Sequence, residues 1–276
     1  MGPVVVITGS TRGIGLGLAR ELAQRDARVV VCGRGAEAVD AAVSAIGTAS
    51  AADRVSGTTC DVTDPTSVGA LWDHAVAAFG RVDIWINNAG TTTTPVPFPD
   101  VPEGQVARVI ETNLIGLMHG CQVASRGMRA QDGGGFIYNM EGMGSKGETQ
   151  DGMATYGASK AATGYLLKAL RRELKGTGVK VGAIRPGINI TEHLVTDIEV
   201  LDPERWRKAK KVLNILGDLP ETTTPWLADK ILANDADGAR IQWLNTWKIA
   251  GRFLTAPVSR RGDLFAQAGF VDPHEA

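Results

Sequence analysis

The sequence predicts an α/β protein organised around a doubly wound parallel sheet. Apolar, β-branched runs alternate with Ala- and Leu-rich stretches from the first residues onward. Most of the runs are almost continuously apolar, the pattern of strands covered on both faces. Parallel neighbours need long connections, and strict strand–helix alternation supplies them as right-handed crossovers.

Strands are expected at Val4–Ile7, Arg28–Cys32, Val55–Thr59, Val82–Ile86, Phe136–Asn139 and Val179–Ile184. Helices are expected between them, at Gly15–Arg25, Ala36–Ile46, Pro65–Phe79, Gly104–Met128 and Ala154–Lys175. Thr91–Pro102, with four threonines and four prolines, reads as a loop. Thr191–Pro225 is a helix-capable insertion carrying the basic run Arg205–Lys211. One reading of that run is a solvated helix face. The other makes the insertion a substrate lid, because ligands of such sheets bind outside the carboxyl ends of the strands.

The 276 residues are read as a single domain, 1–276, with the lid at about 191–225 and a divergent C-terminal segment at about 238–276. With 29 basic and 30 acidic residues the net charge is −1, which leaves no basic footprint for nucleic acid. Cys32, Cys60 and Cys121 are scattered, so neither a disulfide framework nor a CxxC motif is expected. His74, His119, His193 and His274 lack ligand spacing, and no metal is expected. MGPVVVITGS starts a strand at Val4 and leaves no room for a signal peptide. No apolar run approaches the roughly 18 residues of a membrane span. A soluble cytoplasmic protein follows, with attachment to a membrane surface left open.

The first strand runs into Thr8-Gly9-Ser10-Thr11-Arg12-Gly13-Ile14-Gly15 and then a helix. Glycines there permit a tight turn and close backbone approach, and the helix start offers amides and a positive dipole to a pyrophosphate. The second strand ends in Gly33-Arg34, without the acid that holds a ribose 2′-hydroxyl in NAD sites. Arg12 and Arg34 can instead bracket a 2′-phosphate, so NADPH is the expected cofactor. The alternative is that both are ordinary surface residues.

At this point the sequence resembles the short-chain dehydrogenase/reductase family. The resemblance rests on TGSTRGIG at 8–15, CDVTD at 60–64, NNAG at 87–90, Asn113 in ETNLIG, Tyr156-Gly157-Ala158-Ser159-Lys160, and Pro186-Gly187 followed by Thr191. These motifs stand in family order over about residues 1–191. The resemblance implies a Rossmann-type sheet in which Asp61, with Val62, meets the adenine. It also implies that Asn88, Ala89 and Gly90 line the cofactor and that Thr191 meets the nicotinamide carboxamide. Tyr156 and Lys160 stand four apart on a predicted helix and share a face. A tyrosine titrates near 10, and a neighbouring ammonium favours its phenolate, which makes Tyr156 a usable proton donor and acceptor. Lys160 would also hold the ribose, and Asn113 a water in the proton relay.

One position departs from the family. Most members carry a carbonyl-polarising serine thirteen residues before the tyrosine, where Met143 stands. Counting from Asn139 puts the position at Gly142 instead. Three readings stay open: Ser145 reaches the site from a shifted loop, backbone amides and Glu141 orient the substrate, or catalysis is lost and an NADP(H) sensor remains. NMEGMGSKG is similar to the NM(D/E)GxGS stretch of the chlorophyll(ide) b reductases, the stay-green branch of the family. The likeness extends loosely through Lys211–Leu216 and Ile241–Phe253. It implies reduction of the 7-formyl group of a chlorophyll-type macrocycle. Another bulky lipophilic ketone or aldehyde, steroid- or polyketide-like, is the alternative substrate.

Trp206, Trp226, Trp243 and Trp247 all lie late in the chain. They are read either as core beneath the lid or as a lipid- or pigment-facing surface. His193 is read as a lid residue, with substrate contact as the alternative. Gly116, Gly120, Ala161 and Gly164 would let two long helices pack closely across a twofold axis. The resemblance likewise implies at least a homodimer, with a tetramer left open.

Overall fold

A computed structural model describes residues 2–49, 52–192, 194–195, 201–256 and 261–271. Strands β1 Val4–Ile7, β2 Arg28–Gly33, β3 Val55–Thr59, β4 Ile84–Asn87, β5 Gly135–Met140 and β6 Val179–Arg185 fall where the apolar runs predict them. Two short strands follow, β7 Ile188–Asn189 and β8 Gly217–Asp218, and then β9 Arg240–Gln242. The main sheet is parallel throughout, in the order β3-β2-β1-β4-β5-β6-β9. Strand order reverses beside β1, between β2 and β4, and opens a crevice at the carboxyl ends there. β9 escaped the sequence reading because three residues, two of them polar, carry no periodicity.

The helices are α1 Gly13–Gln24, α2 Ala36–Gly47, α3 Pro65–Phe79, α4 Gln105–Ile110, α5 Gly116–Ala130 and α6 Ala154–Glu173. They are followed by α7 Pro203–Leu216, α8 Pro220–Leu232, α9 Thr246–Thr255 and α10 Leu264–Gln267. Successive strand residues point to opposite faces. Val5, Ile7, Val29 and Val31 therefore meet Leu18, Leu22, Ala42 and Leu227 of α1, α2 and α8 on one side. Val6, Val30 and Trp85 meet Val68, Leu71, Ala124 and Leu167 of α3, α5 and α6 on the other.

The helix expected over Gly104–Met128 is interrupted by a π-turn, Glu111–Ile115, that separates α4 from α5. The last residues of the expected lid, Pro220–Pro225, open α8, whose Leu227 and Ile231 join the main core. α7 starts at Pro203, with the Asp202 carboxylate accepting from the amides of Glu204 and Arg205 at 3.1 and 3.0 Å. Its Trp206 enters a separate apolar cluster with Ile190, Leu264 and Phe265, meeting the Phe265 ring edge-on at 5.5 Å.

The glycines expected at a twofold interface face the chain itself. A Cβ on Gly116 would meet Val62 at 2.7 Å, on Gly120 the Asn87 side chain at 2.0 Å, and on Gly164 the Ser145 carbonyl at 2.4 Å. They serve close packing within the chain, while Ile115, Met118 and Tyr165 of the same region are exposed.

Candidate active site

The predicted cofactor residues gather along the carboxyl edge of the sheet. Gly9 and Gly13 take φ of +63° and +56°, a region that side chains disfavour. A Cβ on Gly15 would collide with the Asn88 amide and the Gly9 carbonyl at 2.5 Å. The start of α1 carries neither a side-chain cap nor an acidic residue, so its amides are available to an anion. A dinucleotide pyrophosphate fits this cradle.

Several motif residues build the cradle rather than face it. Ser10 is fully buried, its hydroxyl donating to the Ile7 carbonyl at 2.7 Å and accepting from the Cys32 amide at 2.9 Å. Asn88 donates to the carbonyls of Thr8 and Gly9 at 2.8 and 3.0 Å, and its own amide donates to the Thr8 hydroxyl. The Ala89 amide donates to the same hydroxyl at 3.0 Å. Thr11 packs where a Cβ on Gly33 would stand. Ile14 lies against the core beside α1, and Val62 is buried behind Gly116.

Asp61, expected at the adenine, lies two residues beyond β3. The backbone N–H and then the hydroxyl of Thr63, with Arg34 nearby, hold its carboxyl below the usual range. Arg34 is exposed. Arg12 does not stand free: its guanidinium lies 2.9 Å from Glu192, and both side chains are about two-thirds exposed. An ion pair in that setting holds at most about 1 kcal/mol and yields readily to a phosphate. Across the crevice Gly13 faces Thr191, whose methyl lies 3.4 Å from the glycine's Cβ position. Pro186 and Gly187, the latter at φ +78°, turn the chain from β6 into β7. His193 and His274 lie outside the described residues, and none of the described His, Cys, Asp and Glu residues cluster in threes around a metal position.

The residues expected to handle protons converge at the ends of β4 and β5. Asn113 lies in the π-turn, a register break found often at functional sites. Its amide nitrogen donates to the Thr91 carbonyl at 2.8 Å and to the Ser159 hydroxyl at 3.1 Å, and its oxygen accepts from the Thr91 amide at 2.7 Å. Lys160 is buried and donates to the Met140 carbonyl at 3.0 Å. Burial lowers its pKa to about 8, and the negative charge of Glu141 opposes the fall. The ammonium lies 5.7 Å from the centre of the half-buried Tyr156 ring. Gly90 adjoins Asn113 and Lys160, its Cβ position 3.4 Å from the Asn113 oxygen and 4.0 Å from Lys160 Nζ.

The departure from the family pattern has a steric side. The Tyr156 hydroxyl lies 2.2 Å from the position a Cβ would take on Gly142, so this arrangement leaves no room for a side chain there. Gly144, at φ +97°, lies against the backbone of Gly157 and presses the turn onto α6. The turn then carries Ser145 back, and its hydroxyl accepts from the Gly142 amide at 3.1 Å. Tyr156 and Ser145 thus both adjoin Gly142. Glu141 is buried, and one of its oxygens accepts from Arg240 of β9 at 2.7 and 3.1 Å. Arg240 was absent from the sequence reading because nothing local marks it as the partner of a residue 99 positions away.

The late tryptophans divide. Trp206 is core, Trp226 and Trp243 pack edge-to-face at 5.5 Å, and Trp247 is 87% exposed. A cavity of about 510 Å³ bordered by Arg28, Arg81 and Tyr138 lies at the amino edge of the sheet, away from all these groups.

Comparison with known proteins agrees with this geometry. Chlorophyll(ide) b reductase NOL, chloroplastic, of Arabidopsis thaliana is 35% identical over 85% of this chain and 67% of its own length. Its namesake from Oryza sativa subsp. japonica is 36% identical over 83% of this chain and 66% of its own. This chain therefore spans about two thirds of each. Both are chloroplastic proteins, where the sequence reading set this chain in the cytoplasm. No described helix is long and apolar enough to cross a membrane. A crystal structure of an actinorhodin polyketide ketoreductase variant with NADPH superposes with a TM-score of 0.74 at 30% identity, over 87% of this chain and 96% of that one. The short chain dehydrogenase profile matches residues 3–199. The chain belongs to the short chain dehydrogenase family, oxidoreductases that interconvert alcohols and carbonyls.

Proposed function

We propose that this protein is an NADPH-dependent reductase of the 7-formyl group of a chlorophyll(ide) b-type macrocycle, giving the 7-hydroxymethyl product. The observation that carries the reductase reading is the cluster of Tyr156, Lys160 and Asn113 with the Ser145 hydroxyl brought to Gly142. The pigment reading draws on the likeness to the two plant chlorophyll(ide) b reductases and on the NMEGMGS turn.

The α1 amides would hold the pyrophosphate, and Arg34 with Arg12, once released from Glu192, would meet the 2′-phosphate. Thr191 faces the nicotinamide end, and Lys160 the ribose. NADPH held by these residues would supply the hydride that the formyl carbon takes up. Tyr156 gives its phenolic proton to the formyl oxygen, and Ser145 donates a hydrogen bond to that oxygen as charge grows on it. The Lys160 ammonium stabilises the phenolate left behind. Asn113, fixed by Thr91 and Ser159, orients the water that returns the proton. The net change is one aldehyde, one NADPH and one proton to one alcohol and NADP+. Exposed Ile115, Met118 and Tyr165 offer the face for a homodimer.

Anaerobic incubation with NADPH and chlorophyllide b, followed by pigment separation, tests the reading. The 7-hydroxymethyl product is expected, and Tyr156→Phe lowers its rate by about 10²–10⁴-fold with NADPH binding retained. A second reading, a polyketide-like ketone substrate, is favoured by the ketoreductase likeness. It takes over if no pigment product forms while a ketone panel oxidises NADPH. Silence of both leaves an NADP(H) sensor.

A further inference from the structure

Helix α9 is amphipathic with its faces reversed. Its charged residues turn toward the protein: Arg252 binds the buried Asp218 at 2.7 Å, and the Lys248 ammonium lies 3.0 Å from the centre of the Trp243 ring. Its large apolar residues turn outward, with Trp247 87%, Leu254 81% and Phe253 48% exposed and none of the helix buried. Trp247, Ala250 and Leu254, at i, i+3 and i+7, form one solvent-facing stripe. A helix pinned by its polar side, with Trp, Phe and Leu held in water, gains nothing in the isolated chain from that orientation. It presents a surface built to be covered.

The surroundings say what covers it. α9 carries Lys248 and Arg252 and no acid. Arg252 also donates to the last carbonyl of α7, Leu216, which ties the two helices together. α7 carries Arg205, Arg207, Lys208, Lys210 and Lys211, of which Arg205, Lys208 and Lys210 pair with Asp202, Glu204 and Asp263. Arg207 and Lys211 have no carboxylate partner among the described residues, and Val212 beside them is exposed. An apolar stripe on a helix tied to one that presents exposed Arg207 and Lys211 suits the boundary between headgroups and acyl chains of an anionic bilayer. A second copy on the same patch would bring two basic helices together across a twofold axis, at an electrostatic cost.

We propose that α9, with the basic face of α7, docks this protein on an anionic lipid surface. The patch leads to the catalytic edge of the sheet. The chain enters α9 through Gln242, which the catalytic-turn residue Lys146 contacts at 3.0 Å, and through Leu244, which packs on Gly187. Docking therefore sets the site mouth beside the bilayer, where a lipophilic substrate partitions. The docking itself does not depend on what that substrate is.

Co-sedimentation of the whole chain with vesicles, without pigment, tests it. Binding is expected to phosphatidylcholine vesicles doped with phosphatidylglycerol, weak binding to phosphatidylcholine alone, and release as salt rises from about 0.05 to about 0.5 M. Trp247→Ser with Leu254→Ser lowers the bound fraction at least about tenfold, because the apolar area lost drives insertion. The melting temperature and NADPH affinity stay unchanged, since neither side chain is packed. Arg207→Glu with Lys211→Glu lowers anionic binding alone. Absence of vesicle binding, equal binding by the double serine variant, or a wild-type dimer that this variant turns into monomers overturns the proposal.

Discussion

The floor of the site and the cap beside it are held by different physics. The floor, at the carboxyl ends of β1, β4 and β5, is fixed by contacts that reach from one strand end to the next: the Thr8 hydroxyl accepts from the amides of Asn88 and Ala89, and Asn113 grips Thr91. Its glycines are demanded by backbone approach or by positive φ. The cap, formed by α7, β8, α9 and α10, has a small apolar cluster of its own and is drawn together at one buried carboxylate. Asp218 receives Arg252 and Arg261 at 2.7 Å and the Trp243 indole N–H at 2.7 Å. The comparison teaches that a catalytic floor can be specified residue by residue in motifs, while a cap of this kind hangs on pairings between distant positions.

The largest effect is expected at Asp218, where Arg252, Arg261 and Trp243 meet. Asp218→Ala leaves two guanidiniums facing an empty carboxylate site, and breaking such a buried pair costs about 3–5 kcal/mol. Hydrogen exchange should show α9 and the Gly217–Asp218 strand losing protection, with β1–β6 still protected and NADPH affinity retained. If NADPH affinity falls together with cap protection, floor and cap are one cooperative unit and the comparison fails.

A smaller effect, confined to the floor, comes from Ser145→Ala. Removing a donor aimed at a developing oxyanion costs roughly 10²–10³-fold in kcat. The variant should melt as the wild type does, because Ser145 Oγ touches only the Gly142 amide among its recorded hydrogen bonds. A kcat within twofold of the wild type would instead assign carbonyl polarisation to the freed Gly142 amide.

The same contrast explains what the sequence disclosed. Most of β1 to β6 announce themselves because they are apolar on both faces, β3 with its Ser56-Gly57-Thr58-Thr59 being the exception, and Tyr156 and Lys160 because a helix puts positions four apart on one side. The π-turn at Glu111–Ile115 left no mark, since its residues are compatible with an ordinary helix. Gly116, Gly120 and Gly164 looked like an interface because sequence shows that a residue is small and not what it is small against. β9 and the Arg240–Glu141 pair were illegible for a plainer reason: three residues have no period, and a partner 99 positions away has no local signature. Ser145 was nameable, but its approach to Gly142 depends on Gly144 at φ +97°, which only the folded turn displays.

The finest test falls on the one floor residue that β9 holds. Glu141 is bound by Arg240 on one oxygen, and its other oxygen, also buried, has no recorded hydrogen bond. Its negative charge acts on Lys160, whose pKa burial has brought down to about 8. Below that pH Lys160 is an ammonium and supports the Tyr156 phenolate; above it the charge is lost, so the reduction rate should fall on the alkaline side near pH 8. Glu141→Gln keeps the shape and removes the charge while Arg240 stays positive, and both changes disfavour the ammonium. The alkaline limb of kcat/KM, which reports the free enzyme, should then move to lower pH by up to about one unit, with kcat at pH 6 little altered. A purely structural Glu141 predicts otherwise: a lower melting temperature and a limb that does not move. The pH profile separates the two because packing alone has no means of shifting a lysine's proton.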